Sequence, residues 1–310
     1  MIKTVTMNPA VDKTVEIDDS RIGEVNRITS MRIDAGGKGI NVSKTIKALK
    51  GCSTATGILA GKNGEYIKEY LDCLGIENDF LFVQGNTRTN IKVVDKLKGT
   101  NTDINEPGPG ITREELSLLE FKIFSGLDRD SILVLSGSTP LNVSTGIYKE
   151  WVERAKLLGV RVLLDADGAL LREAIKAGPY LIKPNINELE KLFGRKLGDI
   201  DAVIEAAKRL VAEGIEIIAV SLGADGAIFV TKNTIIRAEG IAVDARSTVG
   251  AGDAMLAALA FALEQCCTLD KAVTLSVASS TASVTASGTQ PPELDDILYY
   301  EKQVRYYCLK

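Results

Sequence analysis

Ser131-Ile132-Leu133-Val134-Leu135 carries no charge, and Ser136-Gly137-Ser138 follows it at once. An uncharged run of this length, bounded by small polar residues, reads as a strand buried on both faces. Its surroundings repeat the pattern. A helical stretch from Ile147 to Leu158 stops at Gly159, and Val160 to Leu164 is the next strand, ending in Asp165. Tyr180 to Ile182 is another, followed by Lys183-Pro184-Asn185-Ile186-Asn187-Glu188. Ile215 to Val220 is another, ending in Ser221-Leu222-Gly223-Ala224-Asp225-Gly226. Uncharged strands separated by helices specify an α/β fold, a mostly parallel central sheet flanked by helices on both faces. Ligands of such sheets sit beyond the carboxyl ends of the strands. The polar motifs fall there.

Toward the C-terminus, a hairpin from Ala227 to Ala238 precedes Ser247-Thr248-Val249-Gly250-Ala251-Gly252-Asp253. The apolar run Ala254 to Leu263 that follows reads as a buried helix opened by Gly-Ala-Gly. A helix start carries unpaired N–H groups and partial positive charge, so it attracts anions. Asp253 is already an anion at that place; a phosphoryl group passing to a nearby hydroxyl supplies a reason for a second. The competing reading is a plain loop-to-helix turn with an acidic first turn. Two further helices are expected. Leu269 to Ala286 is suited to lining a flat pocket with Ala278, Ala282 and Val284; Pro292 to Tyr307 packs through Tyr299, Tyr300, Tyr306 and Tyr307.

Toward the N-terminus, Lys3 to Met7 is a strand, broken at Asn8-Pro9-Ala10. Val11, Thr14, Val15 and Ile17 suggest a short second strand with Asp12 near its start, and Ile28 to Ile33 a partner. In Ala35-Gly36-Gly37-Lys38-Gly39-Ile40-Asn41, paired glycines before a helix let a ligand approach the backbone closely, with Lys38 placed to meet a phosphate. The spacing is not that of a Walker A loop. Strands Cys52 to Leu59 and Asp79 to Gln84 bracket an amphipathic helix, Gly64 to Leu74. Thr87-Arg88-Thr89-Asn90 opens a hairpin, Ile91 to Lys98 and back through Asp103 to Asn105, with its turn at Gly99-Thr100-Asn101. Arg88 and Asn90 share one face of the strand. Pro107-Gly108-Pro109-Gly110 is a hinge-like break, and Thr112 with Glu115 forms a capping box.

Composition narrows the function. The 310 residues, 45% hydrophobic and 25% charged, are those of an ordinary globular chain. A net charge of -4 excludes a general nucleic-acid binder. Five cysteines without Cys-x-x-Cys spacing, no signal-peptide profile and no apolar run long enough for a bilayer point to a cytoplasmic protein without a membrane partner. The absence of histidine removes Ser-His-Asp and Cys-His nucleophile pairs and nearly all zinc catalysis. Carboxylates, lysines, arginines and backbone amides remain. Asn185 and Glu188, spaced i, i+3 at a helix start, suit a hard cation held partly through water. Lys183 is placed for nucleotide phosphates, and Ser221 with Gly223 to Gly226 for a backbone path beneath ribose or adenine. The expected chemistry is phosphoryl transfer from a nucleotide to a phosphorylated sugar, with Asp253 deprotonating the acceptor hydroxyl.

These motifs, in this order and over essentially the whole chain, resemble those of the ribokinase-like (PfkB) carbohydrate kinases. The resemblance implies one kinase domain over residues 1–310, with a small β-sheet lid from about 11–34 and 88–105 and a homodimer formed through that lid. It implies ATP and Mg²⁺, and a ketohexose phosphate as acceptor: fructose 1-phosphate first, with tagatose 6-phosphate or fructose 6-phosphate as alternatives, and a non-catalytic sugar-phosphate sensor as the reading of another class. Asp253 resembles the catalytic base and Gly250, Ala251 and Gly252 the anion hole. Asp12, Arg27, Gly37, Lys38, Asn41, Arg88, Asn90 and Ser138 resemble the sugar-phosphate site, with Lys38, Arg88 and Arg27 on the resident phosphate. Lys183, Asn185, Ser221, Gly223, Gly226, Gly250 and Gly252 resemble the nucleotide site, with Glu188 and Asn185 toward the metal. Ser247 stands where potassium-activated relatives carry Asp.

Overall fold

The structure, a computed structural model, describes residues 1–286 and 288–309. In chain order the elements are β1 (Ile2–Thr6), β2 (Ala10–Ile17), β3 (Ser30–Gly36), α1 (Lys38–Ala48), β4 (Thr54–Ala60), α2 (Gly61–Cys73), β5 (Glu77–Val83), β6 (Arg88–Asp95) and β7 (Thr100–Asn105). Then come α3 (Arg113–Phe124), β8 (Ile132–Ser136), α4 (Ile147–Leu157), β9 (Arg161–Asp165), α5 (Gly168–Ala174), β10 (Leu181–Ile182), α6 (Ile186–Phe193), α7 (Ile200–Ala212) and β11 (Ile217–Ser221). The chain continues with β12 (Ala227–Val230), β13 (Ile235–Ala238), α8 (Ala251–Glu264), α9 (Leu269–Thr285), α10 (Leu294–Glu301) and β14 (Tyr306–Leu309).

A 10-stranded sheet runs β14-β13-β12-β11-β10-β9-β8-β1-β4-β5. It is parallel from β11 to β5, and β12, β13 and β14 extend it antiparallel. Side chains alternate across each strand, so one strand feeds two cores. Leu133 and Leu135 join Trp151, Leu171, Leu189 and Val203 on one face. Ile132 and Val134 join Val42, Leu256, Val273 and Ile297 on the other. This explains why the parallel strands are continuously apolar. The carboxyl ends of β1, β8, β9, β10 and β11 open onto one edge, and the glycine-rich turns emerge there.

The second sheet is separate and 4-stranded, in the order β3-β2-β6-β7. Its register sorts residues into two unlike faces. Asp34, Asp12, Asn90 and Asn105 form one cross-strand row, and Arg32, Thr14, Lys92 and Asp103 the next on the same face. The opposite face carries Ile33, Lys13, Ile91 and Ile104 in one row and Met31, Val15, Val93 and Thr102 in another.

Two expectations needed correction. The Pro292–Tyr307 helix ends at Glu301, and Tyr306 and Tyr307 lie in β14, half exposed, paired with Ala238 and Arg237 of β13. An open sheet edge with unpaired N–H and C=O groups outweighs the helical spacing of the tyrosines. The β6–β7 turn also falls earlier, since Asp95 pairs with Thr100 and its carboxylate accepts from the Lys98 amide at 2.9 Å. The capping box forms as expected, with Thr112 and Glu115 bonding reciprocally.

Trp151 is 1% exposed beneath the sheet, its indole N–H donating to Glu120 Oε1 at 2.9 Å. Trp151→Ala is expected to cost about 3–5 kcal/mol of stability, read from circular-dichroism urea melts.

Candidate functional site

The strand ends, the polar face of the small sheet and α8 enclose a cleft of about 1210 Å³. That volume exceeds what a single small ligand requires. The turn before α8 builds its floor. Gly250 has φ 88, the left-handed region that glycine occupies without strain, and it caps a helix whose first residue is Ala251. Asp253 therefore falls in the first turn, 6% exposed, with its carboxylate toward the cleft. Asn41 of α1 donates to Asp253 Oδ2 at 2.8 Å. Gly37, with φ 124, precedes α1, and a Cβ there would lie 2.8 Å from Thr6 Cγ2. The chain thus passes β1 closely, which brings Lys38 and Asn41 into the cleft.

Asp12, Gly37, Lys38, Asn41, Arg88 and Asn90 line the cleft, as do Lys183, Asn185, Glu188, Ser221, Gly223, Gly226 and the turn Gly250 to Asp253. Asn90 donates to Asp12 Oδ1 at 2.9 Å. Ser138 lies instead in a side chamber of about 270 Å³ that also borders Lys38 and Arg88. Arg27 is exposed between β2 and β3 and lines neither cavity. Asn185 and Glu188 do share a face, but part of their polarity is spent on α6: Asn185 Oδ1 accepts from the Glu188 amide and Glu188 Oε2 from the Asn185 amide, both at 2.9 Å. The other Glu188 oxygen takes no part in that cap. Among the described residues no group of three or more His, Cys, Asp or Glu is placed to hold a metal by itself. A cation here would be shared with water and phosphate oxygens, as magnesium commonly is.

Sequence reasoning missed several contributors. Asp165, read as a strand end, is 2% exposed and takes Lys38 Nζ at 2.8 Å and Lys183 Nζ at 3.2 Å. Lys44, one turn beyond Asn41, is fully buried and donates to the carbonyls of Ala35 and Thr289 at 2.8 and 2.7 Å. The irregular stretch 240–249 supplies an apolar wall through Ile241, Ala242 and Val243. From α9 it is Val277, Thr281 and Val284 that face the cleft, while Ala278 and Ala282 turn into the core. Only Val284 of the expected trio lines it.

Burial dominates the electrostatics. It raises the Asp253 carboxyl, helped by the nearby charge of Asp165; Lys38, the Asn41 amide and Lys183 pull the other way, and the group is pushed up to about 6. Burial alone would also raise Asp165, but Lys183 and Lys38 more than offset it and hold that carboxyl below its usual range. Burial works against the Lys38 ammonium, yet Asp165, then Asp253, keep it protonated above the ordinary lysine range. Buried polar atoms without a protein partner gather here too: those of Thr6, Asn8, Asn41, Arg88, Asn90, Ser136 and Thr289 all belong to residues that border the two cavities. Buried polar groups are normally paired, so this concentration marks a place prepared for polar ligands.

The cleft thus gathers a glycine turn, lysines and three carboxyls raised by burial, those of Asp12, Glu188 and Asp253. Residues 5–296 match the pfkB family carbohydrate kinases. The chain belongs to that family and is an ATP-dependent sugar kinase. It is 39% identical over 284 residues to the 1-phosphofructokinase of Borreliella burgdorferi, covering 91% of each chain. It is 35% identical over 283 residues to that of Bacillus subtilis, covering 91% of this chain and 92% of the relative. Among solved structures, phosphofructokinase-2 from Escherichia coli in complex with substrates and products superposes with a TM-score of 0.93 at 30% identity, over 97% of this chain and 98% of the other.

The raised Asp253 carboxyl has a cost in stability. Its folded value, about 6, lies above the ordinary 3.8, so the folded chain holds the proton more tightly. The stabilisation is fully present below pH about 4 and is lost as pH rises through 6. At pH 7.5, Asp253→Asn is expected to raise the unfolding free energy by about 1–3 kcal/mol in denaturant melts and to flatten its pH dependence.

Proposed function

We propose that the chain moves the γ-phosphoryl group of ATP to fructose 1-phosphate, giving fructose 1,6-bisphosphate. The observation that carries this reading is the meeting in one cleft of Asp253, the Gly250–Gly252 turn and the cations Lys38 and Arg88. Fructose 1-phosphate is chosen over fructose 6-phosphate because the curated relatives at 35–39% identity are named 1-phosphofructokinase. The 30% identical structural neighbour is a phosphofructokinase-2. Tagatose 6-phosphate differs in where its resident phosphate sits and stays as the competitor to test.

In this reading the sugar lies against Asp12, Asn90 and Gly37. Its resident phosphate enters the side chamber between Lys38, Arg88 and Ser138, where the unpartnered Arg88 Nε and the Ser136 and Thr6 hydroxyls complete its hydrogen bonds. The acceptor hydroxyl meets Asp253 on the carboxylate oxygen that Asn41 leaves free. Asp253 takes the proton as the oxygen attacks. The Gly250, Ala251 and Gly252 amides and Lys183 face the charge that passes between donor and acceptor. The nucleotide follows Ser221, Gly223 and Gly226 along the wall of residues 240–249. Mg²⁺ would be held through water by the free oxygen of Glu188, beside Asn185, and would neutralise phosphate charge there. Arg27 would reach the resident phosphate only by movement of the β2–β3 segment.

The small sheet acts as a lid, its polar face over the sugar and its apolar face outward. Ile33, Met31, Ile91 and Ile104 are 40%, 55%, 36% and 56% exposed. Such a patch suits a second copy of the chain, giving a homodimer through the lid.

Turnover measured side by side should be highest on fructose 1-phosphate; a preference for tagatose 6-phosphate or fructose 6-phosphate would reassign the substrate. Binding of the sugar phosphate with no ATP consumption would instead favour a sensor. Asp253→Ala should lower kcat about 10²–10⁴-fold. The wild-type rate should fall as pH drops below about 6, when Asp253 takes up its proton. Ile91→Glu with Ile104→Glu should shift the sedimentation profile from dimer to monomer, and an unchanged profile would reject the lid as the interface.

A further inference from the structure

One buried group of the cleft has no task in the chemistry just described. Asp165 ends β9, next to Ser136 of β8, and its two carboxylate oxygens are divided between two ammonium groups: Oδ1 takes Lys38 at 2.8 Å and Oδ2 takes Lys183 at 3.2 Å. The two lysines border different surfaces, Lys183 the cleft and Lys38 both the cleft and the side chamber. Lys183 lies against the glycine turn, its Nζ 2.9 Å from where a Cβ on Gly252 would stand. Lys38 forms part of the wall between cleft and side chamber and is 36% exposed, whereas Lys183 and Asp165 are 4% and 2% exposed. A continuous line of charge therefore runs from the Gly252 turn through Lys183, Asp165 and Lys38 to the chamber.

We infer that Asp165 is a positioning residue that holds Lys183 and Lys38 on opposite sides of the transferred phosphoryl group. Its role is to orient the two lysines, since each of its oxygens accepts from one of them. A carboxylate has the bidentate acceptor geometry to orient two ammonium groups at once. With phosphates bound, Lys38 shares its remaining protons with phosphate oxygens without leaving Asp165. An amide in its place accepts from one lysine and turns N–H groups toward the other. This inference rests on the phosphoryl-transfer reading above.

The test separates positioning from binding. In Asp165→Asn, kcat should fall about 10²-fold through misplaced lysines. Calorimetric affinity for ADP and for inorganic phosphate should hold within about threefold or tighten, because the buried Lys183 and the partly exposed Lys38 lose their counter-charge. The acid limb of kcat should also move to lower pH. Asp253 is faced by Asp165 from β9, by Lys38, Asn41 and Lys44 from α1, and by Lys183 after β10, and the substitution removes the one carboxylate that raises it. Lys38→Met combined with Asp165→Asn should lose less than the product of the single losses, since Asp165 acts in part through Lys38. Retention of kcat within about threefold, parallel loss of kcat and ADP affinity, or multiplicative losses would each overturn the assignment.

Should Asp165→Asn fail to fold, Lys38→Arg and Lys38→Met decide. Arginine can still pair with Asp165 and should keep at least about tenfold more activity than methionine, and equal losses would reject the role. If the wild type phosphorylates none of the three ketohexose phosphates, the functional reading fails instead. The ADP and phosphate titrations of Asp165→Asn still report on the lysine bridge, and weaker binding there would overturn it.

Discussion

Charge balance around one buried carboxylate governs this molecule. Asp253 is placed where burial and the neighbouring Asp165 both resist its ionisation, and only Lys38, Lys183 and the Asn41 amide make the charged form tenable. Isolated buried charges are costly, and pairs repay that cost only with good geometry and full hydrogen bonding. The sheet supplies the geometry. Asp165 and Lys183 sit at the ends of adjacent strands, Lys38 and Asn41 are one turn apart on α1, and Asp253 opens α8. Each of these groups lies on a strand or helix or directly beside one. A small displacement of one strand end would leave an ammonium or a carboxylate without its partner, so the framework and the site cannot vary independently.

Much of this was legible from residue pattern. The parallel strands announced themselves because a strand covered on both faces has no use for charge, and the polar motifs followed at their carboxyl ends. Asp253, Lys38 and Lys183 were readable because a glycine or proline beside each signals backbone under constraint, and Arg88 because it shares a strand face with Asn90. Asp165 and Lys44 were not. An aspartate ending a strand and a lysine within a helix are ordinary on solvent-facing positions; what makes these two different is burial by distant segments, as with Thr289 on Lys44. The wall at 240–249 carries neither period 2 nor period 3.6, so no pattern exposes it. On α9 Val284 was placed correctly, but Ala278 and Ala282 turn into the core and Val277 and Thr281 take the cleft, because the alanines fit the tight contact with α8 better than the open cleft.

The small sheet inverts a common arrangement. Its two outer pairings are antiparallel and its central β2–β6 pairing parallel, and small sheets with one covered face usually turn their apolar face to the core and their polar face to water. Here the polar rows of Asp12, Asn90 and Lys92 border the cleft, while isoleucines point away from it. The reason lies in what each side must meet. In the proposed reading the inner side offers hydrogen bonds to a ligand rich in hydroxyls, and the outer side is left with the residues that strands favour for their own packing.

The place of β1 bears on how the chain assembles as it leaves the ribosome. It precedes both of its neighbours, yet it lies between β4 and β8, inside the sheet and third from its β5 edge. Its partner Ile132 sits 130 positions after Ile2. During synthesis this apolar segment therefore emerges long before its second flank exists. At about 5–20 residues per second, it waits seconds with one edge unpaired. Such an interval is when a nascent strand meets other chains or a chaperone, so the production yield of this enzyme is tied to the pace of translation between β4 and β8.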